Sequence, residues 1–222
     1  KKNNKLNIIN KKIGFDPKLF NENFIRYFSK KLGVKFIATK NNLVKLLKKR
    51  ENKIKKNRFF YSLDKSVTGL ESLKKIRNLR RKYFNKNIDL MLVTSSENVA
   101  WLLNIRGHDS DFSPIPNSYL IIDKRIGIFL FCNIKKINSK FRKKFSFIKI
   151  FKIEFLENFL KNIRNKNFSI DNSTCSIFYK DIIKKNNKIV NDIDPIYLLK
   201  SQKNNTEINN MKKIHEYDGA AL

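Results

Sequence analysis

The chain has 222 residues, of which 41% are hydrophobic, so it is long enough for one large domain or two modest ones, each with a packed core. Phe, Ile, Leu and Tyr recur throughout, which excludes a disordered chain. No apolar run reaches the ~18 residues that span a bilayer, and the first ten residues lack the apolar region of a signal peptide. We therefore expect a cytoplasmic protein without a membrane partner, in which Cys132 and Cys175 are buried, reduced thiols.

The net charge of +30 comes from 49 Lys and Arg against 19 Asp and Glu. Such a charge is typical of proteins that bind nucleic acids. Here the basic residues are spread along the whole chain together with many Asn, Ile and Phe, the residues that AT-rich codons specify. Compositional drift accounts for this pattern, and we predict no nucleic-acid partner. A basic nucleic-acid-binding protein remains an alternative; it requires the charge to gather on one surface and the binding to weaken steeply with salt.

The first segment, residues 11–38, reads as strand, helix and strand. Aromatic residues at helical spacing follow the Asp16-Pro17 turn, and Gly33 is a candidate helix C-cap. Leucines at helical spacing continue over 42–56, which ends in a basic run typical of a solvated helix or linker. The sequence predicts a first domain boundary between Lys48 and Thr68.

The middle segment continues the alternation. An apolar stripe predicts a helix over 70–84 with its Lys and Arg residues, Lys75 and Arg80 among them, facing solvent. The run 88–93 predicts a strand covered on both faces, and Thr94 with Glu97 predicts a capping box for a helix over 97–103. Strands are then predicted at 118–122 and 127–131, paired as a hairpin.

The last part of the chain continues the alternation of strands and helices, with a break at Asp194-Pro195. The predicted elements are strands at 147–151, 168–171 and 189–190, and helices at 155–163, 176–184 and from 196 onward, where Ile208, Met211 and Ile214 keep helical spacing. This alternation indicates the α/β class.

The residues show no obvious catalytic set. His108 and His215 are the only histidines, and neither belongs to a metal-binding motif. The chain also lacks a CxxC pair, a P-loop and a GxGxxG turn. The best constellation is the loop that carries Arg106, His108, Asp109 and Asp111. Loops between rigid elements often carry function.

Two interpretations of this loop remain open. In the first, Arg106 binds a carboxylate in bidentate fashion, and Asp109 holds Arg106 or a substrate amine. In the second, Arg106 and Asp109 pair with each other and only fix the loop.

Four segments resemble aminopeptidase P, the Xaa-Pro aminopeptidase family. Residues 97–122, ENVAWLLNIRGHDSDFSPIPNSYLII, are similar to the signature of its second domain. KKIGFDPKLF (11–20) resembles a segment near the end of its first domain, and VTG with KKIR (67–77) the start of its second. LLKSQKNNTEINNMKKIHEYDGAAL (198–222) resembles the entry to its third domain.

The resemblance implies an α/β fold of creatinase-like N-terminal domains, each a mixed sheet flanked by helices, with the first helix of a pita-bread domain at the C-terminus. The implied division is 1–62 for the end of the first domain plus linker, 63–194 for the second, and 195–222 for the start of the catalytic domain. It makes Arg106, Gly107, His108 and Asp109 candidates for the substrate side or the domain interface.

The family removes the N-terminal residue that precedes proline in peptides, and it uses two divalent metal ions, usually manganese. The two Asp, one His and two Glu that bind them lie beyond Leu222 in the family pattern. The resemblance therefore implies no catalytic and no metal-binding residue in this chain, which should be inactive alone. It also implies a homodimer and peptide substrates with proline in second position. A non-catalytic creatinase-like interaction module is the remaining alternative.

Overall fold

The computed structural model describes residues 9–40, 42, 44, 58–84, 87–125 and 127–221. Strands and helices alternate, which confirms the α/β prediction. The strands are β1 (Lys12–Phe15), β2 (Lys35–Ala38), β3 (Tyr61–Ser62), β4 (Leu90–Val93), β5 (Ile105–Arg106), β6 (Ser118–Asp123), β7 (Ile128–Cys132), β8 (Lys149–Lys152), β9 (Asn167–Ile170) and β10 (Lys188–Asn191). The α-helices are α1 (Glu22–Leu32), α2 (Lys65–Thr68), α3 (Ser72–Tyr83), α4 (Ser96–Leu103), α5 (Ser139–Lys144), α6 (Leu156–Lys161), α7 (Ile177–Asn186), α8 (Pro195–Ser201) and α9 (Asn205–Ala221).

The central sheet has six strands in the order β10-β9-β4-β6-β7-β8. Only β6 runs against its neighbours: it pairs antiparallel with β4 and β7, whereas the pairs β4–β9, β9–β10 and β7–β8 are parallel. The β6–β7 hairpin was predicted from the sequence. All four residues of β4 are buried, as expected of a strand covered on both faces.

Two hydrophobic clusters lie on opposite faces of this sheet. Alternate residues of one strand point to opposite faces, so Met91 and Val93 join one cluster while Leu90 and Leu92 join the other. Residues of α3, α4, α5 and α8 complete the first cluster, and residues of α6 and α7 complete the second. The result is a three-layer α/β/α arrangement. Cys132 lies in the first cluster and Cys175 in the second, both as buried free thiols.

The N-terminal unit is a β1–α1–β2 segment with two parallel strands. Asn21 caps α1 by accepting a hydrogen bond from the amide of Phe24, and Gly33 ends the helix with φ +61°. The amides of Ile177 and Phe178 donate to the carbonyls of Phe20 and Pro17, which attaches this unit to the start of α7.

Several local predictions were wrong or fall outside the described part. Ser95, not Thr94, precedes α4 without a side-chain cap, and the Thr94 hydroxyl bonds to that of Thr174. On α3, Lys75 is 2% exposed, and Arg80 donates to the carbonyls of Asp123 and Gly127, so neither lies on a solvated face. The helix predicted over 42–56 lies almost wholly outside the described residues.

The end of the described chain packs on the middle of the protein. Ile196 of α8 is fully buried in the first hydrophobic cluster. Asn204 and Glu207 form a reciprocal capping box at the start of α9, with hydrogen bonds of 3.0 Å in each direction. Beyond that first turn, α9 is exposed. The domain division at 62 and 194 stays a prediction.

Candidate functional site

The site begins where α4 ends. Asn104 adopts the left-handed conformation (φ +53°) that closes the helix, so the chain turns sharply into β5. β5 pairs antiparallel with β3, and Tyr61 is directly opposite Arg106. The loop 107–117 follows and leads into β6. A rigid helix end, a short ladder and a central strand therefore hold both ends of the loop.

Arg106 points back toward the helix from which the chain has just come. Its Nη1 donates to the carbonyl of Ala100 at 3.2 Å and to its neighbour Ile105 at 2.9 Å. Burial lowers the pKa of the Arg106 guanidinium, an effect that nearby Tyr61 partly offsets. Within the part of the chain that the structure describes, its Nε and Nη2 atoms have no partner. One edge of the planar fork therefore remains available for a carboxylate.

Gly107 is required by close packing. It is buried, and its amide donates to the carbonyl of Pro114 at 3.1 Å. A Cβ at this position would lie 2.9 Å from Cα of Pro116 and 3.0 Å from the ring of Phe60. The loop thus folds back on itself over a residue without a side chain.

Asp109 does not pair with Arg106. Its Oδ1 forms an ion pair with Lys136, and its Oδ2 accepts a 2.8 Å hydrogen bond from the amide of Asn117. Both side chains of the ion pair are 12% exposed. The predicted Arg106–Asp109 pair is therefore wrong, since each side chain has found a different partner. Asp109 nevertheless fixes the loop, as the second interpretation required.

The accessible groups of the loop are its other side chains. His108 is exposed and lies against Tyr61, with ring centroids 5.8 Å apart. Asp111 is exposed, and Phe112 beside it is fully exposed with an unusual φ of +63°. An aromatic residue held in water at the tip of a loop is available for contact with another surface.

A buried polar cluster supports the loop from behind. Lys75 Nζ donates to the carbonyl of Trp101 at 3.0 Å and to Asn104 Oδ1 at 2.8 Å. The amide of Asn104 donates to the carbonyl of Leu70, and the indole of Trp101 donates to Glu207 at 3.2 Å. This Lys75 cluster connects α3, the end of α4 and the start of α9.

Comparison with known proteins decides the family. The Creatinase/Prolidase N-terminal domain family matches residues 51–207. Xaa-Pro aminopeptidase 1 of Dictyostelium discoideum is 31% identical over 95% of this chain, and Xaa-Pro aminopeptidase app-1 of Caenorhabditis elegans is 32% identical over 72% of it.

The chain belongs to the creatinase/prolidase N-terminal domain family.

A solved structure agrees with this assignment. X-prolyl aminopeptidase from C. elegans, described as a cytosolic enzyme with a di-nuclear active site, superposes with a TM-score of 0.76 at 26% identity over 92% of this chain. The resemblance to aminopeptidase P and the creatinase-like fold are thus confirmed. The chain spans 35% of the length of the Dictyostelium relative and 35% of the C. elegans structure.

Within this creatinase-like chain, the four predicted site residues lie at the end of β5 and the start of the following loop, and their surroundings differ. Arg106 is half-buried, Gly107 is buried and His108 is exposed, while Asp109 forms an ion pair with Lys136. His215 lies far along the exposed α9. In the described ranges, no group of three or more His, Cys, Asp or Glu could hold a metal ion, and no helix is long and apolar enough to cross a membrane.

Sequence reasoning missed the Lys75 cluster. Lys75 stands in a run of basic residues, and periodicity alone places it beside the solvated face. One signal was present: Asn204 and Glu207 have the spacing of a capping box, which marks the start of α9. The contact between Glu207 and Trp101, however, depends on tertiary packing.

Proposed function

We propose that this chain supplies the non-catalytic N-terminal and middle domains of a metal-dependent Xaa-Pro aminopeptidase. The main support for this proposal is the similarity to Xaa-Pro aminopeptidase 1 over 95% of the chain. The whole protein removes the N-terminal residue that precedes proline, with two metal ions, manganese in our proposal, held by residues outside this chain. It acts in the cytoplasm as a homodimer, and the segment 195–222 leads into the catalytic domain.

The loop 104–111 faces the catalytic domain in this proposal and shapes the entrance for the peptide. Arg106 is the residue that contributes most, because the free edge of its guanidinium can bind a carboxylate of the peptide or of the catalytic domain. Its bonds to the end of α4 set the direction in which that edge points. His108 and Phe112 extend the contact, since both are exposed.

The test is Arg106→Ala in the full-length protein. We expect kcat/KM for an Xaa-Pro peptide to fall by about tenfold, in line with a lost charge-assisted hydrogen bond, while Tm changes little. Arg106→Lys should recover only part of the loss, because Lys lacks the planar fork. Arg81→Ala, on the exposed face of α3, is the matched control and should leave kcat/KM unchanged.

An unchanged kcat/KM with a lowered Tm for Arg106→Ala would assign Arg106 a structural role only. The chain alone, supplied with Mn²⁺, should not hydrolyse the peptide. If the full-length protein with its metal ions were also inactive, a non-catalytic interaction module would be the better description. Light scattering of the full-length protein tests the homodimer.

A further inference from the structure

A groove on the far side of the sheet from the loop's supporting helices concentrates positive charge. It lies between the C-terminal end of α7 and the first residues of β9 and β10, and has a volume of about 660 Å³. Four cationic residues line it, and they come from three segments of the chain: Arg164, Lys184, Lys185 and Lys188. The other described lining residues are asparagines, so none of the described residues of the lining is a carboxylate. We call this the α7 groove.

The walls of the α7 groove are fixed by hydrogen bonds. The amide of Asn165 donates to the carbonyl of Asn186, and the amide of Lys188 donates to the carbonyl of Lys166, both at 2.9 Å. The side chain of Asn187 accepts from the amide of Lys166 and donates to the carbonyl of Ile163. The backbone between α6 and β9 is thus tied to the end of α7, so the cationic side chains project from a rigid frame.

The cations of the α7 groove are not neutralised. Among the described residues, Lys184, Lys185 and Lys188 form no ion pair, and Arg164 donates only to the amide oxygen of Asn186. The helix dipole accounts for Lys184 and Lys185 at the end of α7. It does not account for Arg164 and Lys188, which stand outside the helix and face the same space.

Two other basic grooves of the described surface contain an acidic residue. A groove on α3 has Lys74, Arg77 and Arg81, but it also includes Glu71. A groove on α1 has Arg26 and Lys30 together with Glu22. Of these three grooves, the α7 groove is the one whose described lining residues include no carboxylate.

We propose that the α7 groove binds the phosphodiester backbone of a single-stranded nucleic acid. Lys and Arg neutralise phosphates, and the side-chain amides of Asn165 and Asn167 add hydrogen-bonding capacity. None of the described lining residues is aromatic, so the groove contacts the sugar-phosphate backbone rather than the bases, and binding is independent of sequence. A flexible single strand can follow a concave surface, whereas a duplex is stiff over about 150 base pairs and does not bend into a groove of this kind. This proposal departs from the absence of a nucleic-acid partner that the sequence favoured.

The test compares two triple variants that remove the same charge. Lys184→Gln/Lys185→Gln/Lys188→Gln removes the three lysines of the α7 groove, and Lys74→Gln/Arg77→Gln/Arg81→Gln removes the three cations of the groove on α3. Binding of a fluorescein-labelled single-stranded RNA is followed by anisotropy over a range of salt concentrations. We expect the α7 variant to lose at least about tenfold in affinity and about 2 in the slope of log K against log salt, given ~0.7 per phosphate contact on a single strand.

The α3 variant should change affinity by less than about twofold, because only the weak long-range field is reduced. Equal weakening by both variants would overturn the proposal, as would undiminished binding by the α7 variant. Stoichiometric displacement of the RNA by inorganic triphosphate at equal concentration would also overturn it, in favour of a compact oligophosphate ligand. Tm of both variants verifies folding, and Arg in place of the three Lys should retain binding.

This test is independent of the proposed peptidase function. The α7 variant in the full-length protein should keep the kcat/KM of the unmodified protein for an Xaa-Pro peptide, since the groove and the loop 104–111 lie on different elements. If the nucleic-acid proposal failed, the proposed role of Arg106 in the peptidase would be unaffected. If the role of Arg106 failed, the nucleic-acid proposal would be unaffected.

Discussion

The Nζ atom of Lys75 lies 3.8 Å from the centre of the Trp101 ring, so a buried ammonium group rests on an indole in the last turn of α4. The same atom donates to the Trp101 carbonyl and to Asn104. A cation on an aromatic face gains electrostatic energy, and the gain is greater where water is excluded. The contact therefore joins α3 to the turn from which the candidate site begins.

Because of Lys75, the free energy of unfolding should vary with pH in the alkaline range. Burial lowers its pKa to about 8 from 10.5, an effect that Glu207 opposes and Arg106 reinforces. Between these two values the unfolded chain binds more protons at Lys75 than the folded chain does, so the contribution of Lys75 to the free energy of unfolding rises with pH. Below pH 8 the cost of burying the ammonium is fully present. Urea unfolding across this window, compared with Lys75→Met, measures the difference.

Trp101 reports the same titration optically, because it is the only tryptophan in the chain. We expect its fluorescence to change with a midpoint near pH 8 as the ammonium loses its charge. Lys75→Met should abolish this transition, and Lys74→Met, its exposed neighbour, should leave it unchanged. A transition that persists in Lys75→Met would assign the titration to another group.

Gly107→Ala should destabilise the protein by about 1–3 kcal/mol, because its Cβ would clash with the backbone of Pro116 and with the ring of Phe60. Gly219→Ala is the opposite case: no atom lies within 4 Å of a Cβ there, and Ala is the better helix former by up to about 1 kcal/mol. Thermal unfolding of both variants compares them directly. Equal effects would show that packing at Gly107 relaxes easily.

Asp109→Asn should destabilise the protein by about 3 kcal/mol, since it leaves the Lys136 ammonium without its carboxylate in a mostly buried site. Asp109→Asn combined with Lys136→Met should recover a large part of the loss, because no uncompensated charge remains. Chemical denaturation of the single and double variants provides the double-mutant cycle. Additive effects would mean that the ion pair contributes no coupling.

Asn104→Ala should lower the free energy of unfolding by about 1 kcal/mol more than Asn104→Gly does. Only the Ala variant has to hold a left-handed conformation with a Cβ. Both variants lose the hydrogen bonds to Leu70 and Lys75. Asn165→Ala is the control: it has nearly the same φ, +56°, on an exposed turn, so it carries the backbone cost alone. Urea unfolding of the three variants separates the two contributions.

The strands and long helices could be predicted because their patterns are local. The run 88–93 is apolar throughout, and β4 is buried on both faces; Gly33 was predicted as a helix cap, and it has the left-handed conformation. The short α5 was not predicted, since six residues rich in Lys carry little periodicity. Its Phe141 is buried through tertiary packing, as a member of the first hydrophobic cluster.

The loop itself was predicted, but not the partners of its residues. Asp109 and Arg106 are three residues apart, and nothing in that spacing reveals that Lys136 approaches from a different segment. The burial of Lys75 could not be predicted from the sequence either, because the packing of α4 on α3 brings its partners Trp101 and Asn104 to it. Contacts between side chains that are far apart in the sequence depend on how the helices and strands pack. Local patterns in a single sequence do not reveal that packing.

The sheet also separates the two cysteines, one in each hydrophobic cluster. Burial raises the pKa of both thiols to about 12, so neither forms appreciable thiolate while its cluster is intact. Each thiol becomes reactive only when its own layer of helices opens. The rate at which a thiol reagent labels Cys132 or Cys175 therefore measures the opening of one half of the protein independently of the other.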